Sequence, residues 1–315
     1  MLSRNFRASA IHAVSILACA LLLAGLLACT HSTSSQQSPE GPVRRELTDD
    51  AGRRVSVPVP TNRVISLAPN LTEIVFAIGA GDRLVGRTTY CDFPAEAKAV
   101  AAVGDTLQPS LERIISLQPQ VVLISTSSQL EVLTKQLQNQ NIAVFVTDPR
   151  DLDGVFRSIE QIGLIVGHTQ QAEQLIQNLR DRTRAVEEAV KGRPPVRVFY
   201  QLSAEPLYTA GHDAFVTDLM RRAGAMSVTA DVPGAWPKYS NESALAAQPE
   251  AIILPTGGSM GAANSTVTEA LAKSSAALQG RVYKINDDHL TRPGPRSVDG
   301  LEAMARALHP EAFKQ

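Results

Sequence analysis

Along the 315-residue chain, short apolar runs alternate with segments whose apolar positions recur every three or four residues. "RVISLAP" (Arg63–Pro69), "VVLIS", "IAVFVTD", "VRVFYQL", "AIILPT" and "VYKIN" are β-branched runs that end in turn or polar residues. Such runs predict buried strands, and "RLVGRTTY" predicts a further short one. Between them, an Asn70-x-x-Glu73 start opens a helix over "IVFAIGAG", closed by Gly79 and Gly81. Ser110 caps a helix that runs to Gln118 and stops at Pro119, and "LEVLTKQLQNQN" and "AFVTDLMRRAGA" are also helical. Strands alternating with helices predict an α/β fold with parallel sheets and helices on their faces.

The chain repeats itself. "PSLERIISLQPQVVLI", from Pro109, and "YSNESALAAQPEAIIL", from Tyr239, share Ser-x-Glu, then Gln-Pro, then an apolar run, with Ser110 and Ser240 130 residues apart. "TEIVFAIGA" (Thr72–Ala80) is echoed by "TDLMRRAGA" (Thr217–Ala225), 145 residues later. Two echoes in one order predict two lobes of one design. Between them, Ala172, Leu175, Ile176, Leu179, Val186, Ala189 and Val190 form one apolar stripe, with Thr169 as cap and Gly192, Pro194 and Pro195 as terminators. A helix from Thr169 to Lys191 would be about 34 Å long at ~1.5 Å per residue. The expected architecture is two Rossmann-like lobes, 44–167 and 194–315, joined by a single long α-helix within 168–193. Ligands of such folds bind at the carboxyl ends of strands, here between the lobes.

The segment before Arg44 is a different kind of sequence. Arg4 and Arg7 precede the apolar "AIHAVSILACALLLAGLLAC", the layout of an export signal, with a membrane-anchor helix as the rival reading. The run ends in "LLAC" (Leu26, Leu27, Ala28, Cys29), which resembles a bacterial lipobox and implies cleavage after residue 28 and lipidation of Cys29. Residues 29–43 then form a flexible tether, its "THSTSSQQSPEGP" reaching about 20 Å as a coil at ~5–6 Å times the square root of its length. The expected location is outside the cytoplasm, anchored to a membrane by lipid. Cys91 is then the remaining thiol, so no internal disulfide can form. A formal net charge of −1 gives no reason to expect nucleic acid.

Few residues suggest chemistry. The first lobe has no histidine between His31 and His168, which argues against a cluster of imidazoles on a metal. "GGSMG" (Gly257–Gly261) fits a Gly-x-Ser-x-Gly nucleophile elbow, with Asp288 and His289 in hydrolase order, so the rival class is an exported serine hydrolase using Ser259. Two objections stand against it. The elbow needs a helix at once, whereas the next capping start is Thr266-x-x-Glu269, and adjacent acid and base cannot easily pair.

"RVISLAPNLTEIVFAIGAGDRLVG", "TTYCDFPAEAKAV", "VGDTLQPSLERIISLQPQVVLI" and "RPGPRSVDGLEAMARALHPEAF" together resemble the periplasmic binding proteins of cobalamin and iron-siderophore ABC importers, over about Arg63 to Phe313. The resemblance implies two lobes bridged by one helix with little movement on binding, no catalysis and no resident cofactor or metal. It also implies a monomer that delivers its ligand to a permease dimer. The cobalamin-binding members are the nearest in pattern, and their aromatic positions are met by Tyr90, Tyr208 and Trp236, their acid and arginine by Asp288 and Arg292. Those members carry a further tryptophan where this chain has Thr106. The implied ligand is cobalamin or a related corrinoid, with a ferric siderophore or haem as runner-up. The family also uses one surface glutamate per lobe to dock on permease arginines, which Glu112 and Glu242 would supply. Each residue has a plainer reading too: core or rim for the aromatics, a surface ion pair for Arg292, and helix-dipole stabilisation of about 0.3–1 kcal/mol for Glu112 and Glu242. Glu73 is expected to serve only its helix start. Cys91 is expected to be a small buried filler, with a corrinoid metal ligand as the alternative.

Overall fold

The computed structural model describes residues 43–125, 131–257 and 266–314, which lie within one compact unit, Pro42–Gln315. Cys29, the tether before Val43 and Ser259 lie outside the described residues.

An antiparallel hairpin, β1 (Arg44–Thr48) and β2 (Arg54–Pro58), opens the described chain. Its turn is fastened by Asp49, whose carboxylate takes Arg53 Nη2 at 2.6 Å. Sequence reading passed over this hairpin because its strands are short and half polar. The first lobe is a four-stranded parallel sheet in the order β4-β3-β5-β6, built from β3 (Val64–Ser66), β4 (Leu84–Arg87), β5 (Val121–Ser125) and β6 (Ala143–Thr147). Helices α1 (Pro69–Ala77), α2 (Leu111–Ser116), α3 (Glu131–Asn139) and α4 (Leu152–Val166) complete it. The helix start at Asn70 is corrected: Pro69 occupies the first turn, Ala68 is the N-cap and no side chain caps the end. Proline's fixed φ suits that position, so α1 starts before Asn70.

The linking helix α5 spans Thr169–Val190, 22 residues. Its N-cap is His168 rather than Thr169, with no side-chain cap bond. The second lobe follows with β7 (Val196–Ala204), β8 (Leu207–Thr209), α6 (Phe215–Arg222), β9 (Ala225–Ser227), α7 (Asn241–Ala246) and β10 (Ala251–Thr256). It ends with α8 (Glu269–Ala272), α9 (Ser275–Leu278), β11 (Val282–Asn286), α10 (Asp287–Thr291) and α11 (Ser297–Leu308). The cap before α8 is Thr268, not Thr266; Thr266 instead offers its carbonyl to Gln201 at 3.0 Å. The sheet order is β11-β10-β7-β8 with β9 also on β7, and all pairs but β7–β8 are parallel.

Each of the two larger sheets is buried on both faces. Ile65, Val122, Ile124 and Val144 pack under α2 and α3, and Phe199, Ile252 and Leu254 pack under α7 and α8. The opposite faces share one continuous core: Val121 and Leu123 of one sheet, Ile176, Leu179 and Val186 of α5, and Val198 and Ile253 of the other. Continuous apolar strands of this kind are what a parallel sheet requires.

Candidate functional site

A cavity of about 1060 Å³ lies between the lobes at the carboxyl ends of both sheets. The first lobe contributes Ala68 and Asn70 after β3, Ser125 at the end of β5 and Asp148 and Arg150 after β6. The second contributes Leu202 and Ser203 of β7, Pro255 of β10, and Asp287, Thr291 and Arg292 around α10. Parallel strands feeding loops at one edge create this crevice in each lobe.

Tyr90 and Trp236 line it from opposite lobes, 38% and 36% exposed. Trp236 rests on the buried ring of Tyr200, centroids 6.0 Å apart. Its loop lies tight on the residues before α6: Gly211 donates to Ala235 O at 2.9 Å, and a Cβ there would stand 2.7 Å from the carbonyl of Val232. Tyr208 is half-buried on β8, beside Lys238, and is not part of the cleft wall. Asp288 is also off the wall. The wall includes Thr106 and the exposed Leu107, and sequence reading missed Phe215, which looked like an ordinary core residue at the start of α6.

Arg292 lies at the centre of an ionic web. Its guanidinium is 2.9 Å from Asp288, 3.1 Å from Asp92 and 3.5 Å from Glu73. Arg296, one turn on, grips both oxygens of Glu73 at 2.6 and 2.9 Å and stacks 4.0 Å from the Phe93 ring. Glu73 is therefore no helix-start residue; it is 3% exposed and ties the first lobe to the second. Asn70 adds a bond across the same seam, its amide donating to Pro293 O at 3.1 Å. The spacing Arg292-x-x-x-Arg296 in "RPGPR" was the signal that could have exposed this web. Burial pushes the Asp287 carboxyl above its usual range, with Asp288 adding to the shift and Thr291 and Arg292 opposing it.

Glu112 and Glu242 are exposed in the first turns of α2 and α7, behind the caps Ser110 and Ser240. Cys91 is fully buried beside the Thr88 hydroxyl at 3.2 Å, off the cleft wall, so it is placed as a filler and not as a ligand to a cleft metal. Among the described residues, no group of three or more His, Cys, Asp or Glu is placed to hold a metal ion.

A family model described as "Periplasmic binding protein" matches residues 64–289. This chain belongs to that family. It is 31% identical to the uncharacterized ABC transporter substrate-binding lipoprotein YvrC of Bacillus subtilis, covering 95% of this chain and 98% of that one. The crystal structure of the periplasmic vitamin B12 binding protein BtuF of Vibrio cholerae matches with TM-score 0.71 and 27% identity, over 81% of this chain and 99% of that one. A periplasmic heme binding protein from Pseudomonas aeruginosa matches with TM-score 0.69 and 26% identity, over 79% and 93%. The chain is a substrate-binding protein of an ABC importer and not an enzyme.

Proposed function

We propose that the chain binds cobalamin or a related corrinoid between its lobes, is held at a membrane by a lipidated Cys29, and docks through Glu112 and Glu242 on a two-fold permease. The observation that carries the ligand is the cleft itself. At about 1060 Å³ it lies at the upper end of small-molecule sites, ~300–1,000 Å³, far beyond what an ion or amino acid fills. Tyr90 and Trp236 face it from opposite walls, and aromatic faces suit a flat macrocycle because they give large contact with little rotamer loss. Likeness to a vitamin B12 binding protein and to a lipoprotein supports the ligand and the anchor respectively.

A ferric siderophore or haem is the second reading. The half-exposed phenol of Tyr90 is an oxygen a ferric ion could take, and a heme binding protein shares the fold. Titration of the untagged soluble part with cobalamin, cobinamide, haem and ferric siderophores separates the two. The corrinoid reading expects spectral shifts with the first pair; a Soret shift with haem that is lost in Tyr90→Phe would replace it.

A further inference from the structure

The loop that carries Tyr90 belongs to the first lobe, yet its far end is fastened to the second. Its near end is fixed at home: Thr89 donates to Gly104 O at 2.9 Å, and the fully buried Cys91 donates to Thr88 O at 3.1 Å. The far end crosses the seam. Asp92 takes Arg292 at 3.1 Å, and the guanidinium of Arg296, at the N-cap of α11, lies over the Phe93 ring, 4.0 Å from its centroid. Glu73 of α1 holds Arg296 in turn, taking Nε at 2.9 Å and Nη2 at 2.6 Å. A guanidinium directs its donors outward in its own plane, so two bonds to one carboxylate fix that plane and leave a flat face for an aromatic ring.

The opposite wall is tied to the second lobe as well. Trp236 rests on the buried Tyr200 ring, and its loop is held where Gly211 donates to Ala235 O at 2.9 Å and Gly234 donates to the Asp213 carboxylate at 3.2 Å. Both aromatic walls therefore take their place from one lobe, although Tyr90 comes from the other. Tyr90 lines the cleft, whereas Phe93 and Arg296 lie off its wall. Their influence on a ligand must run through the loop between Phe93 and Tyr90.

We propose that Phe93 and Arg296 are positioning residues whose stack clamps the Tyr90 loop onto the second lobe and sets the gap between Tyr90 and Trp236. The proposal rests on the corrinoid reading and deepens it. A flat macrocycle then meets two walls already spaced for it, and the cost of ordering the loop is not left to the binding step.

Calorimetry with cyanocobalamin tests it through a double-mutant cycle, which separates a residue acting through Tyr90 from one that only supports the fold. Phe93→Leu should weaken binding about fivefold, the scale of a partly exposed cation–π contact. Phe93→Tyr keeps the ring and should bind within about twofold of wild type. In a Tyr90→Ala background, Phe93→Leu should change the affinity by less than about twofold, because the side chain it positions is gone. Phe93→Met repeats the cycle should the leucine variant fail to fold. Unchanged affinity in the folded Phe93→Leu protein, or the same loss in both backgrounds, overturns the assignment while leaving corrinoid binding standing. If wild type does not bind cyanocobalamin, or Tyr90→Ala binds it as tightly as wild type, the corrinoid reading of this wall falls and the assignment falls with it.

Discussion

Glu73 and Asp287 are buried carboxylates with opposite circumstances. Glu73 is met by two guanidiniums, and removing its charge strands Arg296 in a site where the arginine side chain is 15% exposed. Glu73→Gln should therefore cost roughly 3 kcal/mol in chemical denaturation, the scale of breaking a buried pair. A loss no larger than that of a surface substitution would contradict the web. Asp287 is compensated only in part, by Thr291 and Arg292, and burial leaves its folded pKa raised. The native state then holds the proton more tightly than the unfolded chain, so this group's contribution is present at low pH and is lost as pH rises through the raised value. Asp287→Asn should raise the melting temperature at pH 7, with the gain shrinking toward pH 4; a variant less stable than wild type at neutral pH would reverse the sign. Neither role was readable beforehand. Glu73 looked like a helix-start acid because Asn70 stood three residues before it, and only the fold brings "RPGPR" from 223 residues away onto it.

The repeated unit was legible because it is local. Ser110 and Ser240 cap their helices by accepting from Arg113 N at 3.3 Å and Ser243 N at 2.9 Å. Gln118 and Gln248 both turn left-handed, at φ 45° and 46°, before the shared proline. Arg63 and Arg197 reach the matching carbonyls of Leu117 and Ala247. Gly79 and Gly224, both at φ 74°, end the second pair of echoed helices. What periodicity could not supply was the hairpin β1–β2 and strands β8 and β9, too short to show an alternation. The exposed glutamates at the two matching helix starts yield a prediction at this scale. Glu112→Gln with Glu242→Gln should change stability by no more than about 0.5 kcal/mol, as for surface sites. It should still weaken capture by the permease and impair uptake, with the difference from wild type largest at low salt and shrinking as salt screens the charge pairs. The control is Glu269→Gln, also exposed and in the first turn of α8. Equal uptake defects from the pair and from Glu269 would place docking elsewhere.

Over the whole molecule the lobes are fastened on both sides of α5. Arg222 of α6 pairs with Asp153 of α4 at 2.7 Å, Glu187 of α5 at 2.8 Å and Asp218 at 2.7 Å, while Asp218 also receives the Leu152 amide at 3.2 Å. Arg182 of α5 holds Asp299 and Glu302 of α11 at 2.6 and 2.8 Å. With a shared apolar core and the Glu73 web, these bonds oppose wide hinge motion, so ligand entry should leave the radius of gyration nearly unchanged. The alternation of strands and helices made this two-lobe plan readable; the fastenings join residues too far apart in sequence to be paired by inspection. Membrane attachment is tested by Cys29→Ser, which should release the protein into the soluble fraction because acyl chains supply most of the affinity; unchanged membrane retention would contradict the anchor. The central claim, a corrinoid held against aromatic walls between the lobes, is tested most directly at Trp236, the sole tryptophan. Titrating the soluble part with cyanocobalamin should quench its emission to saturation at one ligand per chain, and Trp236→Ala should weaken calorimetric binding by about 2 kcal/mol. Unchanged emission together with no heat of binding would contradict it.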